Sequence, residues 1–312
     1  MNAYKLLLLG LLIPALVGCS TSGRLPDIRE VWDFGDPGAT ETRFRSLEKQ
    51  ALALDQGIYA AEIMTQVART LGLRGRYDEA LALLDRVDQG PYANVPVVQV
   101  RSLLERGRTL NSSGYPERAG PMFTRAFELA TQNNELFLAG DAAHMAGIVS
   151  DTVGEAAWLD RLRQLTERQP GTEAEYWFGP MHNNLGWTYF GEGAFELALE
   201  EFTASKAAYA GQQKRYETLI ADYAAARVLR AMDRCHDALA LQQQTFASIE
   251  VEFNQQDPYV AEEIALCSSA LGRQDEARAA ARIAYQGLAE DPWFVANKPG
   301  RLESIRVLLL EN

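Results

Sequence analysis

The sequence is poor in the residues on which most enzyme active sites depend. It contains only three His and three Cys residues, and it has no Gly-rich phosphate loop with Lys, no G-x-S-x-G elbow and no H-E-x-x-H helix. His144, His182 and His236 lie far apart, without the spacing of metal ligands. We therefore expect no catalytic residues, no metal and no cofactor.

Positive charge and long apolar runs are also scarce. The chain has 30 Lys and Arg residues against 42 Asp and Glu residues, which gives a formal net charge of −12. Nucleic-acid binding depends on Lys and Arg that neutralise phosphates, so we expect no nucleic-acid partner. Beyond the N-terminal segment no apolar run approaches the length of about eighteen residues that is typical of a transmembrane helix.

The N-terminus combines Lys5, an apolar run that begins at Leu6 and continues to Val17, and the sequence Leu16-Val17-Gly18-Cys19. These are the parts of a secretory signal. The segment resembles the lipobox signals of bacterial lipoproteins, which implies cleavage after residue 18 and acylation (palmitate) of Cys19. Ser20 then implies sorting to the outer membrane, with the protein facing the periplasm. An uncleaved anchor and a plain signal peptide are the alternatives.

Residues 19–40 are rich in Gly and Pro, which indicates a mostly irregular tether. Trp32 and Phe34 are unusual in a free linker, and docking of both rings onto the first helices would explain them. We expect the helical domain to span residues 41–312.

Two kinds of residue recur every 39 or 40 positions in the remainder of the chain. A turn position is occupied by Gly75, Gly114, Gly154, Gly193, Asp233 and Gly272. Five residues later, a helix-crossing position is occupied by Ala80, Ala119, Leu159, Ala198, Ala238 and Ala277. Gly and Asp tolerate the left-handed conformation that reverses one helix into the next, and Ala lets two helix backbones approach closely.

The clearest unit is His182-x2-Leu185-Gly186-x2-Tyr189, followed by Gly193, Phe195, Ala198 and Phe202. This pattern resembles the tetratricopeptide repeat (TPR), although His182 stands where the family prefers Trp and the period exceeds the usual 34 residues. The resemblance implies an all-α, TPR-like α-solenoid of about six helix-turn-helix units with terminal capping helices.

The TPR resemblance also implies a groove lined by the first helix of each unit. Family phasing places these residues on it, together with His144 and Phe190: Arg69, Arg101, Arg108, Asn111, Asn183, Trp187, Tyr223, Arg227, Arg230 and Tyr259. Arg and aromatic side chains often anchor interfaces, so we expect a protein or peptide partner with acidic groups or a C-terminal carboxylate. Internal Arg–Glu pairing and burial of the aromatic rings between helices remain open as alternatives.

Cys235 and Cys267 fall at the start of one helix and late in the next, where antiparallel helices should meet. In an oxidising compartment the pair could form a disulfide, and two small buried thiols are the alternative.

The function favoured by these features is that of a non-enzymatic adaptor, held at the outer membrane by its N-terminal lipid, with a partner in the cell envelope. The alternative is a small-ligand or polysaccharide-handling module of an export system. A third hypothesis is a hydrolase with an unrecognised site.

Overall fold

The computed structural model describes residues 24–310, so the predicted signal peptide and the acylation site at Cys19 lie outside the described residues. The described chain is helical and contains no β-strand. Within residues 24–310 it forms two compact units, which we call unit 1 (residues 24–177) and unit 2 (residues 178–310).

The described part of unit 1 begins with a 3₁₀ turn at Ile28–Val31 and ends with a second at Glu173–Trp177. Between them lie seven α-helices: α1 (Pro37–Ala53), α2 (Gly57–Leu73), α3 (Tyr77–Asp88), α4 (Pro96–Ser112), α5 (Pro116–Gln132), α6 (Leu136–Ile148) and α7 (Thr152–Arg168).

Unit 2 contains α8 (Phe178–Glu192), α9 (Phe195–Gly211), α10 (Arg215–Ala231), α11 (Cys235–Phe253), α12 (Pro258–Ala270), α13 (Gln274–Ala289), α14 (Pro292–Asn297) and α15 (Pro299–Leu310). The six predicted helix-turn-helix units are α2–α3, α4–α5, α6–α7, α8–α9, α10–α11 and α12–α13. The predicted capping helices are α1 and α15. The predicted all-α, TPR-like fold is therefore confirmed.

Five of the six turns inside the pairs share one backbone geometry. Gly75, Gly114, Gly193 and Gly272 have φ between +73° and +94°, and Asp233 has φ +59°. At each turn the next N–H bonds to the carbonyl five residues before it, as in Arg76 N to Leu71 O at 2.9 Å. This pattern satisfies carbonyls that the helix end leaves free, and it needs a residue that accepts positive φ.

The prediction of a turn at Gly154 is wrong. Helix α6 ends at Ile148, and Gly154 lies inside α7. The Asp151 carboxylate caps α7 by accepting the Gly154 N–H at 2.8 Å, so an aspartate cap replaces the left-handed glycine in this pair.

The recurrent small residues mark the points where paired helices cross. Ala80, Ala119, Ala198 and Ala238 are fully buried. One turn beyond Ala198, the Phe202 ring fills the space opened by Gly186, where a Cβ atom would lie 2.8 Å from the ring. The Leu-Gly and Ala-x3-Phe signatures are thus two halves of one contact between helices.

Candidate functional site: the faces of the first helices

The predicted groove residues lie on the first helices of their pairs, in two sets. We call the surface shared by α2, α4 and α6 the unit 1 face, and the surface shared by α8, α10 and α12 the unit 2 face. The unit 1 face carries Arg69, Arg101, Arg108, Asn111 and His144, and the unit 2 face carries Asn183, Trp187, Phe190, Tyr223, Arg227, Arg230 and Tyr259.

On the unit 1 face, arginines pair with carboxylates of their own or neighbouring first helices. Arg101 Nε donates to Glu62 at 2.8 Å. Arg108 donates to Glu105 at 2.6 Å and also to Asp141. Much of the positive charge expected to receive a partner is therefore already neutralised inside unit 1.

Two acids of this network are nearly inaccessible to solvent, since Glu105 is 2% and Asp141 is 4% exposed. Burial opposes ionisation of Asp141, but the Arg108 guanidinium more than compensates and holds the pKa of that carboxyl below its usual value. Removing one member of such a group leaves an unpaired buried charge, so these contacts stabilise the positions of α4 and α6.

The N-terminal segment packs on the unit 1 face. The Trp32 Nε1–H donates to Gln66 at 3.0 Å, and the Trp32 and Phe34 rings stack at 4.7 Å. The Arg69 guanidinium lies 5.1 Å from the Trp32 ring centroid and 5.2 Å from that of Phe34. Residues 28–36 are irregular apart from the 3₁₀ turn, and the Trp32 and Phe34 rings dock on α2 as the sequence suggested. Helix α1 begins at Pro37, before the expected boundary at 41.

Trp32 packs on α1 in the way that a side chain of a first helix packs on the second helix of its pair. Its ring meets Phe44 of α1 edge-on at 5.2 Å, as the Trp187 ring of α8 meets Phe202 of α9 at 4.9 Å. The interplanar angles are 69° and 68°. The 3₁₀ turn and α1 therefore resemble a shortened repeat that closes the N-terminal end of the helix array in unit 1.

On the unit 2 face, Arg227 lies among aromatic rings. Its guanidinium is 5.6 Å from the ring centroids of both Trp187 and Phe190, and its Nη1 donates to the Tyr223 hydroxyl at 3.1 Å. Tyr223 and Arg227 are 8% exposed, whereas Trp187 and Phe190 are half-buried. The first two therefore belong mainly to the core, and the latter two rings present surface.

Glu263 of α12 holds two arginines of α10. It accepts from Arg230 Nε at 2.5 Å and lies 3.4 Å from Arg227 Nε, although it is only 1% exposed. Next to it, Glu262 accepts two bonds from Arg301 of α15. The internal Arg–Glu pairing left open by the sequence is thus present on both faces.

Sequence reasoning missed the acidic half of these networks. Glu62 and Arg101 are 39 residues apart, as are Glu262 and Arg301. The sequence pattern that could have predicted these ion pairs is an acidic and a basic residue separated by one repeat length. Residues one repeat apart on first helices lie side by side, so such pairs can be sought in any array of this kind.

The remaining predicted groove residues are half-buried. Asn111 lies near the end of α4, Asn183 lies in α8, and the Tyr259 hydroxyl donates to Asp291 at 3.3 Å. The His144 ring lies 5.1 Å from that of Trp177, which in turn donates its Nε1–H to the Phe137 carbonyl at 2.9 Å.

The two thiols of unit 2 lie against each other, as the helix phases predicted. Cys235 begins α11 and is half-buried, and Cys267 is fully buried in α12. Burial, together with the Cys235 thiol, raises the pKa of Cys267 to about 12, so the buried sulfur stays protonated at neutral pH. The structure holds both as free thiols, and their oxidation to a disulfide stays a prediction.

Among residues 24–310 no group of three His, Cys, Asp or Glu side chains is arranged to hold a metal ion. No helix in this range is long and apolar enough to cross a membrane.

Comparison with known proteins agrees with the helix-pair geometry. Residues 60–87, in α2 and α3, match a family model described as a tetratricopeptide repeat. No curated protein matches the sequence significantly.

Two solved structures illustrate the similarity. A tetratricopeptide repeat protein from Parabacteroides merdae is 13% identical over 91% of this chain and 97% of its own, with a TM-score of 0.48. The TPR-like repeats of a kinesin light chain from Podospora anserina are 16% identical over 80% of this chain and 96% of their own, with a TM-score of 0.35. The helix pairs themselves, together with the match at residues 60–87, show that this chain is built of TPR-like helix-turn-helix repeats.

Proposed function

We propose that this protein is a non-enzymatic scaffold that binds a protein or peptide partner of the cell envelope and is anchored to the outer membrane through an acylated Cys19. TPR-like repeats are protein-interaction modules, which supports a binding role. The lipobox-like sequence that ends at Cys19 supports the anchor and the periplasmic location.

The observation that carries the proposal is the set of half-buried aromatic rings that present surface on the unit 2 face. Trp187 and Phe190 meet edge-on at 5.6 Å, and Tyr259 lies on α12, two first helices further along the chain. Aromatic side chains dominate binding hot spots because they bury a large area at little entropic cost. Tyr259 packs partly against the start of α14, where its hydroxyl donates to Asp291 and its ring meets Phe294 at 5.8 Å. Residues 178–310 contain only short connections between helices, and no extended segment lies across α8 as residues 28–36 lie across Arg69 of α2.

The pairing of the arginines changes the chemistry expected of the partner. Arg227 and Arg230 share Glu263, so an acidic peptide would have to compete with a carboxylate that is already in place. A partner that inserts apolar or aromatic side chains between the rings gains binding energy without breaking that pair. We therefore propose an apolar anchor on the partner, with acidic groups in a secondary role.

Site-specific photocrosslinking in cells tests the proposal. A photoreactive phenylalanine analogue replaces Phe190 or Tyr259 on the unit 2 face, and a matched control replaces Phe246, which is half-buried on the second helix α11. One envelope protein crosslinked from both test positions and absent from the control supports the proposal. Equal crosslinking from all three positions contradicts the assignment of the binding face.

The anchor is tested separately by a Cys19→Ala variant. We expect wild type to fractionate with the outer membrane and to carry the added mass of its acyl chains, and we expect the variant to lose both. Unchanged fractionation of the variant contradicts the lipid anchor but leaves the binding face untouched.

A further inference from the structure

The turn between α1 and α2 exposes three large apolar side chains within seven residues. Leu52 is 58% exposed, Leu54 is 47% exposed, and Ile58 is 43% exposed. Asp55 reverses the chain between them with φ +54°. Single exposed apolar residues are common, but three so close in the sequence are not, and we call these three side chains the exposed patch.

This turn adjoins the point where the N-terminal segment joins the folded unit. The hydroxyl of Tyr59, the residue after Ile58, donates to the Pro26 carbonyl at 2.8 Å. Just beyond Pro26, Ile28 and Val31 are buried among core residues of α1 to α3. The chain is therefore fixed to unit 1 from Pro26 onward, beside the exposed patch.

The docked segment leaves little chain between the fold and an anchor at Cys19. Cys19 and Pro26 are separated by seven residue steps, which reach at most about 25 Å at 3.3–3.6 Å per residue. A tether that ran free to residue 40 would reach about 70 Å by the same measure. The short reach holds the α1–α2 turn near the membrane surface.

We infer that Leu52, Leu54 and Ile58 form a lipid-contact surface that inserts at the interface of the membrane holding the acyl chains. This inference rests on the proposed acylation of Cys19. Burial of apolar side chains at the boundary between headgroups and acyl chains is favourable, and it adds a second membrane signal to the lipid. The contact places α1 and α2 against the membrane, so binding on the unit 1 face would occur close to the bilayer.

Photoreactive lipids test this contact. The full-length acylated protein is reconstituted into phosphatidylethanolamine–phosphatidylglycerol vesicles that contain a phospholipid with a diazirine near its headgroup, and labelled peptides are mapped by mass spectrometry. Val153 and Val251 are matched controls, because they are 79% and 83% exposed but lie on α7 and α11. We expect labelling of residues 52–58 to exceed that of both control segments by about fivefold or more, as for a segment held at the interface.

A Leu54→Glu, Ile58→Glu variant should fold, because both side chains are exposed, and should lose this labelling while it retains the acyl mass. Control-level labelling of residues 52–58 in an acylated protein overturns the lipid contact and leaves the proposed anchor intact. An unmodified Cys19 mass overturns the anchor and, with it, this inference. A dimer in detergent that the double variant disperses assigns the patch to a second copy of the chain and also overturns the lipid contact.

Discussion

Glu263→Gln should destabilise unit 2 severely for a change of so little volume. The Glu263 carboxylate is 1% exposed, receives Arg230 Nε at 2.5 Å and lies 3.4 Å from Arg227 Nε. Glutamine keeps the shape of the side chain, but it removes the charge and can direct an N–H₂ group at two guanidinium donors. Both arginines would then lose their shared anionic partner.

The size of the effect follows from the burial of the three groups. Removing one partner of a buried ion pair costs about 3–5 kcal/mol. The Arg230 side chain is 28% exposed and keeps some water, so we expect about 3 kcal/mol, near the lower end of that range. For a unit of this size 1 kcal/mol changes Tm by about 3–4 °C, so the Tm of unit 2 should fall by about 10 °C.

Differential scanning calorimetry of wild type and variant measures this change. Glu303→Gln is the control, because Glu303 and Arg306 form an exposed pair with side chains 55% and 50% accessible, and solvent screening of such a pair should leave the Tm essentially unchanged when it is lost. Equal Tm values for the Glu263 and Glu303 variants would refute the view that the buried network stabilises unit 2.

Three further outcomes are expected. Gly186→Ala should lower the free energy of unfolding by about 1–3 kcal/mol, because the added Cβ would press on the Phe202 ring. The control Gly191→Ala, which has open space at its Cβ, should be neutral or slightly stabilising. Equal urea midpoints for the two variants would contradict this. The depressed pKa of Asp141 means that its ionised form stabilises the fold above about pH 4 and that this contribution is lost as pH falls through the lower folded pKa. Asp141→Asn should therefore be destabilised at pH 7, with the gap to wild type in urea unfolding narrowing below pH 4; a constant gap would contradict the argument. Trp32→Ala should cost about 2–3 kcal/mol and increase amide hydrogen exchange in α1 and α2, since it removes a half-buried ring; unchanged exchange would show that the N-terminal segment does not brace these helices.

Much of the fold could be predicted because repeats express local rules many times. Gly75 and Gly272 occupy turns that require positive φ, and Ala80 and Ala198 occupy crossings without room for a larger side chain. The prediction of a turn at Gly154 was wrong, because an aspartate cap can replace a glycine turn without changing the period of the repeat.

The candidate site was only partly predictable. Family phasing correctly placed Arg101 and Arg230 on first helices, but phase says nothing about partners. An arginine is available to a ligand only if no carboxylate of a neighbouring helix lies within about 3 Å of it. Here Glu62 pairs with Arg101, and Glu263 pairs with Arg230.

The sequence by itself determined the helical class, the repeat and five of its six turns, because these depend on neighbours within one or two helices. Only the tertiary structure decided that the arginines of both faces are paired internally and that Trp32 completes a shortened first repeat. Both outcomes depend on contacts between residues some 10 to 40 positions apart, whose energies arise from burial and geometry that appear only when the helices pack.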